Sequence, residues 1–132
     1  MTVVVAVDPG REKCGIAVVG KDGVLHKEVV AARETVTVIA NLVRKHKPDC
    51  VVVGAGTTGK RFADALRENM PEMRIELVDE RNSTLRARAR FFKDNPPRGL
   101  MRLIPKGLLI PNRPYDDYVA LILAEDYLSE AQ

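Results

Sequence analysis

Three apolar runs rich in β-branched residues follow one another closely: residues 3–7, 14–19 and 24–30. The segment "DPGREK" separates the first two, and "GKDG" separates the second pair. Neither link is long enough for a crossover, which needs about a dozen residues or more, so the three strands must form an antiparallel meander. Pro9 presets its own backbone and Gly10 permits a positive φ, which suits the first turn. The period then changes. Residues 34–47 read as a helix with Val38, Ile39, Leu42 and Val43 on one face, stopped by Pro48. Residues 50–53 form a fourth, buried strand. Thr57 or Thr58 can cap a helix reaching about residue 69, and residues 74–78 form a fifth strand. Asn82 or Ser83 can cap a basic helix reaching about residue 93. Residues 94–114 carry Pro96, Pro97, Pro105, Pro111 and Pro114, so an extended connection is expected there. The last helix covers residues 115–129 and is nearly all apolar from Tyr118 to Ala124.

The order β-β-β-α-β-α-β-α-α predicts an α/β fold. Its mixed five-stranded sheet has three antiparallel strands, then two parallel ones, with helices on both faces. A chain of 132 residues with 45% hydrophobic content is large enough for one core, and a single domain over residues 1–132 is expected. No apolar run approaches the length of a membrane span, and the chain enters a strand at once without a signal-like segment. Cys14 and Cys50 lie inside apolar runs and read as buried, reduced thiols, which fits a cytoplasmic protein. Two cysteines and two scattered histidines make no zinc site.

The net charge of +3 is unevenly placed. Residues 81–113 hold nine basic residues and one acid, Asp94, which gives +8 there and leaves −5 for the remainder. Such asymmetry points to a polyanion partner, with Arg81, Arg86 and Arg90 as contacts on or beside one helix. The bland alternative is a solvated basic face.

Three acids stand at informative places. Asp8 ends the first strand, Glu80 follows the fifth, and Asp116 opens the last helix with Asp117 beside it. In a sheet of this kind ligands bind beyond the carboxyl ends of the parallel strands. A helix N-terminus packed there would carry Asp116 toward Asp8 and Glu80. Converging carboxylates repel one another unless a hard divalent cation, Mg²⁺ or Mn²⁺, lies among them. Such ions activate water and stabilise the leaving oxygen of a phosphodiester. Each acid alone has an ordinary reading as a turn residue or a first-turn helix charge; the combination suggests the site.

Those residues, in that order, resemble the YqgF family, also called RuvX: pre-16S rRNA processing nucleases related to the Holliday junction resolvase RuvC, with an RNase H-like fold. "VAVDPGREKCGIAVV" is similar to the family's opening D-x-G hairpin. "LVDERNSTLRARA" is similar to its D-E-R-x-S/T segment, and "YDDYVALILAEDYL" to its final helix. The resemblance implies catalytic, metal-binding acids at Asp8, Glu80 and Asp116, with Asp117 as a neighbouring ligand candidate. It implies a divalent-metal-dependent nuclease acting on rRNA precursor or branched DNA. RuvC usually ends its fourth strand in glutamate and the YqgF pattern usually reads G-x-P there, whereas this chain has Gly54 in "GAGTTG". Glu80 would then supply that carboxylate from the next strand.

The glycine turn has other readings. Gly54, Gly56 and Gly59 match G-x-G-x-x-G of dinucleotide-binding domains, and Asp79 follows at a tolerable spacing. That fold needs a further parallel half, which the residues after Glu80 do not offer. Gly54, Gly59 and Lys60 match a P-loop, but Arg61 stands where Ser or Thr would ligate Mg²⁺. In the nuclease reading, backbone N–H groups around Gly56, Thr57 and Thr58, with Lys60, face a polynucleotide phosphate. A non-catalytic nucleic-acid binder on the same fold stays open. With no Trp, three Phe and three Tyr, recognition through phosphates and shape is expected over base stacking. RNA and DNA stay open as substrates, as does a homodimer.

Overall fold

The computed structural model describes residues 3–130 except 57, 81, 82, 106–109 and 112. Its sheet contains β1 (Val3–Asp8), β2 (Lys13–Gly20), β3 (Gly23–Ala31), β4 (Cys50–Gly54) and β5 (Ile75–Val78), in the spatial order β3-β2-β1-β4-β5. β1 pairs antiparallel with β2, and β2 with β3, while β1–β4 and β4–β5 are parallel. This is the three-then-two sheet that the sequence predicts. The helices are α1 (Thr35–His46), α2 (Gly59–Asn69), α3 (Ser83–Asp94) and α4 (Asp116–Glu130).

Alternate residues of each strand go to opposite faces. Val5, Val7, Ile16, Val18, Val51 and Val53 pack with Ile39 and Leu42 of α1 and with Ala63 and Leu66 of α2. Val4, Ala6, Ala17, Val19, Cys50 and Val52 pack with Ala87 and Phe91 of α3 and with α4. Because β1 and β4 are covered on both faces, their sequences are continuous valine runs and do not alternate with polar residues. α4 is buried at every position from 117 to 124, held between the sheet and α3, which explains an apolar surface all round.

Register sets the site. Val7 pairs with Val53, and Gly54 with Val78, so the carboxyl ends of β1, β4 and β5 reach one edge together. Asp8 lies opposite Gly15 of β2. α1 ends where Lys47 takes a left-handed conformation (φ 49°), its N–H donating to the Val43 carbonyl at 2.9 Å, and Pro48 follows.

Several local expectations are corrected. Gly10 has no positive φ; it is small because a side chain would meet the Lys13 backbone. Thr58 precedes α2 without a side-chain cap bond. Residues 32–34 and 99–103 form 3-10 turns, the second inside the segment expected to be extended. Asn82 lies outside the described residues. Ser83 opens α3, with its hydroxyl and N–H both donating to the Glu80 carbonyl, at 2.7 and 3.0 Å. Cys14 and Cys50 are buried and unbridged. Among the described residues no helix is long and apolar enough to cross a membrane.

Candidate active site

Glu80 leaves β5 and turns back over the end of β4. A Cβ on Gly54 would fall 2.7 Å from Cδ of Glu80, and one on Gly56 would fall 2.8 Å from its Oε2. Gly54 and Gly56 are therefore the seat of the Glu80 carboxylate, whereas a Cβ on Gly59 would run into the Gly54 carbonyl. None of them needs a positive φ, which Gly23 and Gly99 alone show among the described glycines. The Glu80 carboxylate occupies the space that a side chain at Gly54 would take, which is how a carboxylate reaches the end of β4 from the neighbouring strand.

Asp8 meets that carboxylate. Burial pushes the Asp8 carboxyl up from 3.8 to about 8, and a hydrogen bond with Glu80 and the charges of Glu80 and Asp116 add to the shift. A carboxyl raised that far is mostly protonated at neutral pH. Asp116, half-buried in the first turn of α4, is raised by burial and by the charge of Asp117, and the Lys13 ammonium opposes the rise. Among the described residues no three His, Cys, Asp or Glu side chains stand close enough together to hold one metal ion. Asp8 and Glu80 are the close pair, and Asp116 acts on Asp8 through its charge. An all-oxygen donor set of this kind suits Mg²⁺, which takes one or two carboxylates and keeps its waters, better than an ion needing a complete protein cage.

Asp117 faces a different environment. It is 3% exposed and receives Lys27 Nζ at 3.1 Å and Arg113 Nη1 at 3.4 Å. Lys27 also lies 4.2 Å from the Tyr118 ring centroid. Asp117 therefore ties α4 to β3, and its neighbour Asp116 rests over Gly15, the β2 partner of Asp8. Gly15 permits the close approach: a Cβ there would fall 2.6 Å from the Asp117 backbone nitrogen and closer still to the Asp116 carbonyl.

The arginines expected on phosphates are engaged within the fold. Arg86 is bidentate on Asp126 at 2.7 and 2.8 Å, and Arg90 meets Glu125 at 2.8 Å, both on α4. Arg81 and Thr57 lie outside the described residues. Thr58 and Lys60 open α2 beside the glycine turn, and Lys60 forms no ion pair among the described residues. Because the Arg86 pair is half-exposed, Arg86→Ala should cost about 1 kcal/mol or less. Arg86→Ala with Arg90→Ala should change the salt slope of nucleic-acid binding by well under one unit. Anisotropy titrations across salt check this; a drop of two units would put both side chains on phosphates.

Sequence reasoning did not single out Gly15, Lys13 or Lys27. Gly15 had a signal, since a glycine inside a strand of apolar residues marks a close backbone approach. Lys27 had none, because its partner lies 90 residues away.

A family model described as RuvX, Holliday junction resolvase, matches residues 2–100, three quarters of the chain. The chain belongs to the RuvX family. The match includes Asp8, Gly54 and Glu80 and ends before Asp116. No curated protein matches the chain in sequence. Among solved structures, RuvC of T. thermophilus in complex with a Holliday junction substrate is similar at TM-score 0.62 and 22% identity, covering 99% of this chain and 95% of that one. A Fowlpox virus resolvase in complex with Holliday junction DNA is similar at TM-score 0.62 and 11% identity, covering 98% of each. At these identities the likeness extends the RNase H-like fold through α4. The nuclease domain of the large terminase subunit gp2 of bacterial virus Sf6 is matched only in part. There the TM-score is 0.48 at 18% identity, and the match covers 60% of this chain and 37% of that one. Within this RuvX chain the glycine turn carries a carboxylate, and neither a dinucleotide site nor a P-loop is needed to explain its glycines.

Proposed function

We propose that this RuvX protein is a divalent-metal-dependent endonuclease. It hydrolyses phosphodiester bonds in structured nucleic acid, either branched DNA such as a four-way junction or structured rRNA precursor. The observation that carries the reading is the Asp8–Glu80 carboxylate pair at the carboxyl edge of β1, β4 and β5, on which the charge of Asp116 acts at Asp8. Asp8 and Glu80 would hold the ion, with Asp116 completing the negative face. When bound, Mg²⁺ or Mn²⁺ would generate a nucleophilic hydroxide at neutral pH and stabilise the leaving oxygen. The chain's own part is placement. The glycine turn orients Glu80, Ser83 anchors its backbone, and the bonds from Lys27 and Arg113 to Asp117 fix the first turn of α4. The Asp8 proton has to leave before Asp8 can ligate, which couples ion binding to pH.

The test incubates the purified chain with four-way DNA junctions and with structured rRNA precursor, in Mg²⁺, in Mn²⁺ and in EDTA. Divalent-dependent cleavage of one substrate class is expected, and its identity names the biological target. Tight binding with no cleavage in either metal would make the protein a non-catalytic binder. A further variant tests the seat of Glu80. Gly54→Ala meets only the end of a flexible side chain, so the fold should persist. The displaced carboxylate should weaken Mg²⁺ binding by about tenfold, as loss of a positioning shell does. Calorimetric Mg²⁺ titration reads this, and unchanged affinity would mean that Glu80 is not a ligand.

A further inference from the structure

Next to Asp117, the neighbour of Asp116, and between β2, β3 and the approach to α4 lies a cavity of about 520 Å³. That is within the range of ligand-sized sites. Its location follows from register. Lys13 pairs with Ala31, and Gly15 with Val29, so all four belong to the sheet face on which α4 rests. Asp116 lies directly over Gly15, so Lys13, two residues along β2, lines the cavity and borders the acids at once. The apolar lining comes from Val29, Ala31 and Pro114.

The charges around the cavity are mostly spoken for. Asp117 is held by Lys27 and Arg113, and Glu28 pairs with His26. Glu12 remains on the rim. Lys13 is exposed and its side chain forms no ion pair among the described residues, while its ammonium opposes the rise of the Asp116 carboxyl. An ammonium at the border of a carboxylate cluster, facing a cavity lined by short apolar side chains, suits a sugar–phosphate strand. The sugar lies on the apolar surface and the phosphate meets the ammonium. We propose that the substrate strand leaves the carboxylates through this cavity and that Lys13 holds the phosphate adjacent to the one being cut. The inference rests on the nuclease reading for the identity of the cut phosphate. Lys13 is a positioning residue in it.

The experiment measures binding in EDTA, so that strand capture is read without cleavage. Labelled DNA and RNA strands and a four-way junction are titrated by anisotropy at several salt concentrations. Lys13→Ala should weaken binding about fivefold and reduce the log–log salt slope by about one unit, as for one lost phosphate contact. Lys13→Arg should restore both. Lys45→Ala, on the opposite face of the sheet, should change neither. The loss should be equal for DNA and RNA, because a lysine reads the phosphate and not the sugar. In turnover, KM should rise about fivefold with kcat nearly unchanged, and the Mg²⁺-induced rise in Tm should persist. Wild-type affinity and slope in Lys13→Ala would overturn the proposal even in an active nuclease. A loss confined to DNA or to RNA, or competition by millimolar inorganic phosphate as effective as by a strand, would also overturn it. If the wild type cleaves nothing while Lys13→Ala still loses the slope, the nuclease reading falls and the strand path stands.

Discussion

Asp8→Asn is expected to lower divalent-dependent cleavage on the order of 10³-fold and to make the metal-free protein more stable at pH 8. The first effect follows from removing the proposed ion ligand. Metal assistance is worth several kcal/mol in the transition state, and each 1.36 kcal/mol is about tenfold in rate. The second follows from the proton on Asp8. Its carboxyl is ordinary at 3.8 and is raised to about 8 in the folded chain by burial, by the hydrogen bond to Glu80 and by the charges of Glu80 and Asp116. Below about pH 4 both folded and unfolded chains carry the proton, and Asp8 exacts no penalty. Between about pH 4 and pH 8 the unfolded chain releases the proton and the folded chain keeps it. Folding stability then falls as pH rises, by up to about 1.4 kcal/mol per unit. Above about pH 8 both forms are ionised and the penalty is complete. Asparagine preserves the shape, can bond to Glu80 and never ionises. The stability difference between Asp8→Asn and wild type should therefore grow from pH 4 to pH 8 and then level off at a few kcal/mol. Mg²⁺ should raise the Tm of the wild type and not of Asp8→Asn, increasingly so toward pH 8, since ligation releases the proton. Denaturant melts across pH, with and without Mg²⁺, check both parts. A difference that stays flat with pH would remove Asp8 from the cluster, and wild-type cleavage by Asp8→Asn would remove it from catalysis.

The fold was legible because its signals are local. Valine runs in β1 and β4, turn residues between the first three strands, and Pro48 after α1 each act within a few residues. The acids were legible for the same reason: strand ends and a helix start are visible in the chain itself. What the sequence did not separate was Asp116 from Asp117. Both are first-turn acids; in the fold Lys27 and Arg113 engage Asp117, while Asp116 rests over Gly15, the β2 partner of Asp8. Likewise Arg86 and Arg90 read as free phosphate contacts until Asp126 and Glu125 are brought to them across 40 and 35 residues. The glycine turn matched two nucleotide motifs because a tight backbone approach asks for glycine whatever approaches. Only the register of β4 beside β5 reveals that the approaching group is the Glu80 carboxylate.

Gly15→Ala should have the second large effect, and it tests how the site is assembled. The added Cβ would fall 2.6 Å from the Asp117 nitrogen, with the Asp116 carbonyl carbon and oxygen nearer still. These are backbone atoms, so no side chain can rotate away. Either β2 or the first turn of α4 has to move. α4 is buried along 117–124 and pinned by the bonds to Asp117, so the strain falls on its first turn. Overpacking of this severity costs on the order of 3 kcal/mol, or roughly 10 °C in Tm for a domain of this size. The fold should survive, because the sheet is covered independently by α1 and α2 on its other face. Cleavage should fall further than the loss of folded protein explains, since the displaced turn carries Asp116 away from Asp8. Mg²⁺ affinity measured on the folded fraction, below the new Tm, separates the two effects and should fall at least tenfold, as loss of positioning does. A Gly15→Ala protein with wild-type Tm and wild-type Mg²⁺ affinity would show that α4 does not rest on this glycine, and that Asp116 is not brought to Asp8 by the route described.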